Sequence, residues 1–245
     1  MVPDSPAGEP LGETTKEYTF ESCGETLDMA ELQEIWESKL EPVYPYRKAG
    51  PTVEKINGKL NAPAAPKIGV AKPKVIIPVF PGTNCEYDTA KAFARAGADP
   101  EILVIRNLTP SDVTASCEAL VKAIGESQIG MLPGGFSGGD EPDGSAKFIA
   151  SFFRSPAVTE AVRDLLQQRD GLMLGICNGF QALIKLGLVP YGDIRPITAY
   201  DPTLTFNTIG RHQSMLVRTR IASTGSPWLS KCAVGDERTV AISHG

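Results

Sequence analysis

An α/β fold, a doubly wound and mostly parallel sheet flanked by helices, is predicted by two features of the sequence. Short apolar runs alternate with amphipathic segments from about residue 74 to residue 187. Two of those runs also pass directly into glycine-bearing turns, PGGFSGGD after residue 132 and GICNG at residues 175–179. In such sheets ligands bind at the carboxyl ends of the strands, so the two turns are expected to meet at one edge. Residues 73–245 are assigned to this domain, and residues 1–72 to a tail, a connector helix and a linker.

From the N-terminus, residues 1 to about 16 are rich in Pro, Gly, Glu and Ser and read as disordered. The run DMAELQEIWESKLEP sets Met29, Leu32, Trp36 and Leu40 at helical spacing, with Asp28 and Glu31 spaced as a capping box. Its apolar stripe is narrow, so this lone helix is expected to dock on a surface or a partner. The following stretch to Lys72 is rich in Pro, Ala and Lys, a linker composition.

The first core strand is VIIPVF, residues 75–80, ending in Pro81-Gly82-Thr83-Asn84. Thr83 and Glu86 are spaced as a second capping box for a helix running to Gly97. Residues 101–105 form the second strand, and a helix from near Ser111 carries Val113, Cys117, Leu120, Val121 and Ile124 on one face. Residues 129–132 are the third strand. After its loop comes helical sequence, then Ser155 and Pro156 as N-cap and first residue of a helix faced by Val158, Val162, Leu165 and Leu166. Residues 171–175 are the fourth strand, and Asn178 to Leu186 form a helix stopped by Gly187. Beyond Pro190 the pattern changes, and extended segments at 213–221 and 239–243 suggest an antiparallel extension.

The net charge of −5 is spread along 245 residues with no basic stripe, which argues against a nucleic-acid partner. No apolar run approaches the roughly 18 residues of a membrane span. The five cysteines are scattered with no metal-ligand spacing, so no metal site is expected and a reducing, cytoplasmic setting is.

Gly175-Ile176-Cys177-Asn178-Gly179 is a G-x-C-x-G between strand and helix, the thiol form of a nucleophile elbow. The turn is so sharp that residues two before and two after its apex must be tiny. At the head of a helix, unpaired N–H groups and the macrodipole favour a thiolate. The bland alternative is that Cys177 is a small buried hydrophobe. Acyl transfer by a thiol also needs oxyanion donors and a base. The N–H of Asn178, next in the elbow, is one candidate donor, and the loop Pro133-Gly134-Gly135-Phe136 is the other, unless it is an ordinary turn. That loop lacks the G-K-[ST] of a phosphate-binding P-loop. Gln181, four residues after Cys177, shares its helix face and can hold a polar substrate tail or lie on the surface.

Together, LPGGFSGGDEPDGSAKF, GLMLGICNGFQALIKLG, FPGTNCEYDTAKAF and TFNTIGRHQS resemble the glutaminase part of phosphoribosylformylglycinamidine synthase, over about residues 74–245. The connector resembles the segment leading into this domain in the large single-chain forms. The resemblance implies a class I glutamine amidotransferase fold. It further implies that Cys177 forms a glutamyl thioester and releases ammonia to an ATP-dependent synthetase domain. That domain, with its ATP and Mg, lies outside this chain, and no cofactor is expected within it. By the same match Gly135 and Asn178 supply oxyanion N–H groups. Gln181 and the Ser243-His244-Gly245 stretch border the glutamine pocket, and glutamine and the synthetase domain are the partners. Cys85 in PGTNCE is expected to be structural.

The family's His-Pro-Glu motif is not found in these residues: neither His212 nor His244 is followed two residues later by Glu. The expectation is a C-terminally truncated domain, weak or inactive as a glutaminase by itself. Two alternatives stand beside it: another cysteine hydrolase or glyoxalase-like enzyme of the same architecture, and a non-catalytic docking module.

Overall fold

The computed structural model describes residues 12–43, 69–137, 145–204, 207 and 210–245. The expected disorder of residues 1–11 and most of the expected linker lie outside the described residues. The chain forms two compact units, Met1–Ile56 and Asn57–Gly245.

In the first unit, β1 (Thr19–Ser22) and β2 (Glu25–Asp28) pair antiparallel through a two-residue turn, Cys23-Gly24, with φ of 53° and 83°. Positive φ at both central residues matches the twist of the flanking strands. Helix α1 (Met29–Ser38) follows at once, with the Asp28 carboxylate accepting from the N–H groups of Ala30 and Glu31. The expected helix is present. The hairpin before it is not announced by the sequence, because every residue of β2 and all but one of β1 are exposed and no apolar alternation marks them.

The second unit is a sheet of four parallel strands: β3 (Lys74–Val79), β4 (Asp99–Val104), β5 (Ile129–Leu132) and β6 (Leu172–Gly175), in the spatial order β4-β3-β5-β6. Alternate side chains enter opposite faces. Val75, Ile77, Ile129 and Met131 pack with Ala90 and Phe93 of α2 (Glu86–Arg95) on one face. On the other, Ile76, Phe80 and Leu132 meet the helices α3 (Pro110–Glu126), α4 (Lys147–Phe153), α5 (Pro156–Arg163) and α6 (Asn178–Leu186). A π-helical turn, Asp164–Gln168, extends α5, and the short α7 (Leu188–Tyr191) follows α6. The doubly wound, parallel α/β sheet is therefore as expected.

The chain crosses from β4 back over β3 to reach β5, so the strand order reverses between β3 and β5. Binding crevices open at such a switch point. β3 pairs with β5 only at Val75↔Ile129 and Ile76↔Gly130, and Pro78, which has no N–H, lies just beyond.

Two expectations are corrected. Thr83 does not cap α2: its hydroxyl accepts from the Phe80 N–H at 3.0 Å, and Cys85, at φ 68°, occupies the cap position with no side-chain bond. The threonine is consumed by the turn that ends β3. The two C-terminal extended segments, β7 (Gln213–Arg220) and β8 (Glu237–His244), do pair antiparallel, yet as a separate ribbon rather than an extension of the sheet. Between them, in the 3-10 turn Pro227–Leu229, Trp228 donates its indole N–H to the Met173 carbonyl on β6 at 3.1 Å and packs edge-on against Phe93.

Candidate active site

The elbow is built from two close approaches. A Cβ added at Gly179 would lie 2.0 Å from the Leu132 carbonyl oxygen, and one at Gly175 would lie 2.6 Å from the Gly179 oxygen. Helix α6 can thus start directly against the end of β5 only because both residues lack side chains. Between them Cys177 is held at φ 54°, ψ −112°, outside the regions open to ordinary residues, and its side chain is exposed. Strain of this kind persists only where the surrounding structure over-determines it. The buried-hydrophobe alternative for Cys177 is excluded by that exposure.

Facing the thiol is the loop after β5. A Cβ added at Gly134 would sit 3.3 Å from Cys177 Cβ and 3.9 Å from its Sγ, so the bare backbone of this loop lies beside the sulfur. The loop is no ordinary turn, because it is zipped to the loop after β3. Asn84 N–H donates to the Gly134 carbonyl at 2.9 Å and Phe136 N–H to the Gly82 carbonyl at 2.8 Å, framing a bridge between Thr83 and Gly135. In a pair of this type the N–H and C=O of the two facing residues point away from each other. Gly135 therefore turns its N–H away from the β3 side. At φ 119°, with a hypothetical Cβ 2.4 Å from the Gly82 oxygen, no other residue fits there. The PGTN turn thus holds the candidate oxyanion loop, a role its sequence alone did not disclose.

Asn178 opens α6 with a side chain only 1% exposed. Its Oδ1 accepts from the N–H of Ser137 at 3.3 Å and from the Ser137 hydroxyl at 2.7 Å, and its Nδ2 donates to Gln181 Oε1 at 3.2 Å. Ser137 is fully buried, Gln181 partly exposed. Cys177, Gly135, Asn178 and Gln181 therefore come together from the loops after β5 and β6 and the first turns of α6. Gly134, from the loop already named, and Ser137 join them, and Ser137 was not singled out by the sequence. Nothing in the spacing of residues 41 apart reveals a side-chain bond between them.

The stretch Ser243-His244-Gly245 is placed elsewhere, at the end of the β7–β8 ribbon. Asn207 donates to the His244 carbonyl at 2.9 Å and to the Gly245 carbonyl at 3.1 Å, and His212 Nε2 shares a 2.8 Å bond with the Ser243 hydroxyl. The His212 ring is thus engaged within the ribbon, and His244 through its backbone. Among the described residues no group of three or more His, Cys, Asp or Glu is disposed to hold a metal ion, and no helix is long and apolar enough to cross a membrane.

A parallel α/β sheet carrying a strained, exposed cysteine on a strand-to-helix elbow, faced by a glycine loop, defines a thiol-dependent acyl-transfer architecture. Residues 72–245 match the family model of the CobB/CobQ-like glutamine amidotransferase domain, and the chain belongs to that family. It is 34% identical over 173 residues to phosphoribosylformylglycinamidine synthase subunit PurQ of Rubrobacter xylanophilus, covering 70% of this chain and 64% of that one. With the PurQ subunit of Symbiobacterium thermophilum it shares 34% identity over 170 residues, 68% of this chain and 58% of the relative. The chain thus spans about three fifths of the length of these relatives. The solved structure of PurLQS from Thermotoga maritima aligns with a TM-score of 0.49 and 24% identity, over 71% of this chain and 67% of that one.

Proposed function

We propose that this chain is the glutaminase component of phosphoribosylformylglycinamidine synthase, supplying ammonia for amidine formation in purine biosynthesis. The observation that carries the reading is the placement of Cys177, exposed at φ 54° on the elbow with Gly134 and Gly135 beside its sulfur. The thiol Sγ adds to the side-chain amide carbon of glutamine, and the N–H groups of Gly135 and Asn178 receive the developing oxyanion. The C–N bond then breaks and the nitrogen leaves as ammonia with the thiol proton. Water adds to the thioester, the C–S bond breaks, and glutamate and free thiol are returned. Gln181 holds the amino-acid end of the substrate. Ammonia passes to an ATP-dependent synthetase partner, which holds the ATP and Mg, in the cytoplasm.

On this reading, capture of the substrate by Cys177 depends on neither histidine. The His212 ring bonds the Ser243 hydroxyl, and His244 accepts from Asn207 through its backbone carbonyl. The test uses 6-diazo-5-oxo-L-norleucine, which alkylates a glutaminase thiol with loss of dinitrogen. Mass spectrometry is expected to find one adduct at Cys177, saturating with reagent and competed by L-glutamine. His212→Ala and His244→Ala should leave the labelling rate unchanged. An adduct elsewhere, or equal labelling of Cys177→Ala, would sink the proposal.

A further inference from the structure

The carboxamide of Asn178 joins the loop after β5 to the second turn of α6, and the direction of that junction is fixed from one end. A backbone N–H can only donate. The N–H of Ser137 points at Asn178 at 3.3 Å and so identifies the atom there as the oxygen, which the Ser137 hydroxyl reaches at 2.7 Å. With its oxygen held, Asn178 presents Nδ2 to α6, where it donates to Gln181 Oε1 at 3.2 Å. The Gln181 oxygen is engaged in turn, and its own NH₂ is left as the outward end of the relay. Among the described residues that nitrogen meets no protein acceptor. The held end is buried, with Ser137 at 0% and Asn178 at 1% exposure, so water does not compete for it. The free end is partly exposed, beside the elbow.

We propose that Ser137 and Asn178 are positioning residues which set the polarity of Gln181. They make it a hydrogen-bond donor, so that the site selects a substrate by its α-carboxylate. The inference rests on the glutaminase reading and deepens it, because an anionic acceptor on the amino-acid end of glutamine is the group an outward amide N–H suits best. The relay begins at a backbone atom, so the Ser137 hydroxyl strengthens the polarity but does not decide it.

The experiment compares two thiol reagents on the full chain: 6-diazo-5-oxo-L-norleucine, which carries an α-carboxylate, and iodoacetamide, which does not. Asn178→Asp still accepts from both Ser137 groups but no longer donates to Gln181. It should raise the half-saturating concentration of the diazo ketone about tenfold or more, a loss well beyond any change in the iodoacetamide rate. Gln181→Glu keeps the acceptor facing Asn178 while replacing the outward donor by a carboxylate, and should lose at least as much. It also serves if Asn178→Asp does not fold. Ser137→Ala, retaining the backbone N–H, should lose less than either.

Unchanged half-saturation in Asn178→Asp or Gln181→Glu would overturn the relay, and so would an equal loss with both reagents, which marks a merely structural role. Failure of the underlying reading looks different: the unaltered chain would then show no saturation with the diazo ketone, no competition by L-glutamine and no preference between the two reagents.

Discussion

A single added methyl group measures how tightly the elbow is built. At Gly179 it would lie 2.0 Å from the Leu132 carbonyl and 2.8 Å from Leu132 Cβ, where neither backbone can yield. Gly179→Ala is expected to cost about 3 kcal/mol, the upper range for overpacking. Gly192, at φ 71° with nothing within 4 Å of the added carbon, supplies the contrast. Gly192→Ala should cost only the left-handed backbone penalty, about 1 kcal/mol. Urea unfolding of both variants checks the difference, and equal losses would mean that the elbow relaxes. At this scale the glycines around Cys177 were legible, because the tight approach they permit leaves a fixed spacing in the sequence. Ser137 was not, because its partner Asn178 lies 41 residues away across the sheet edge.

Helix α3 shows the same division between elements. Its apolar face was readable from Val113 to Ile124, while its start is set by a reciprocal cap one residue before Pro110. Asp112 N–H donates to Thr109 Oγ1 and Thr109 N–H to Asp112 Oδ2, each at 3.1 Å. Thr109→Ala should cost about 1 kcal/mol in chemical unfolding, and no loss would show that packing alone positions the helix. Buried strands were legible because apolar runs mark them. The β1–β2 hairpin was not, since exposed strands carry no such pattern, and a Thr-x-x-Glu spacing misled at Thr83 because the hydroxyl found a nearer N–H in its own turn. Local capping signals specify a helix only where no competing backbone donor is within reach.

Over the whole molecule, the strand order and the separation of the β7–β8 ribbon were beyond the sequence, because both are decided by long-range pairing. The segment following α6 is bound back onto the domain by charged groups. Arg163 reaches Asp193 at 2.8 Å and the Ile194 carbonyl at 3.0 Å, and its hydrogen bond holds the Asp193 carboxyl below its usual range. Asp201 accepts from the Tyr191 hydroxyl, the Thr198 N–H and Arg195, the last at 3.0 Å. These bonds, Tyr191 first and Thr198 next, lower the Asp201 carboxyl from 3.8 to about 2. A depressed carboxylate stabilises the fold fully above its unfolded value and loses that contribution as pH falls through its folded value. Asp201→Asn should therefore lower the thermal midpoint at neutral pH, with the gap to the unaltered chain closing between about pH 4 and about pH 2. A gap that persists below that window would assign the effect to shape rather than charge.

A four-stranded sheet has two rims, and an unguarded rim is a template on which another chain can polymerise. On β4 the guard is local, since Pro100 offers no N–H and Asp99 and Glu101 repel a neighbouring acidic strand. On β6, LMLG has no charge and no proline, and the guard comes from 55 residues away in the indole of Trp228 on the Met173 carbonyl. Among the described residues, an aromatic side chain outside the sheet thus occupies that rim. Loss of Trp228 would be felt in aggregation before it was felt in chemistry.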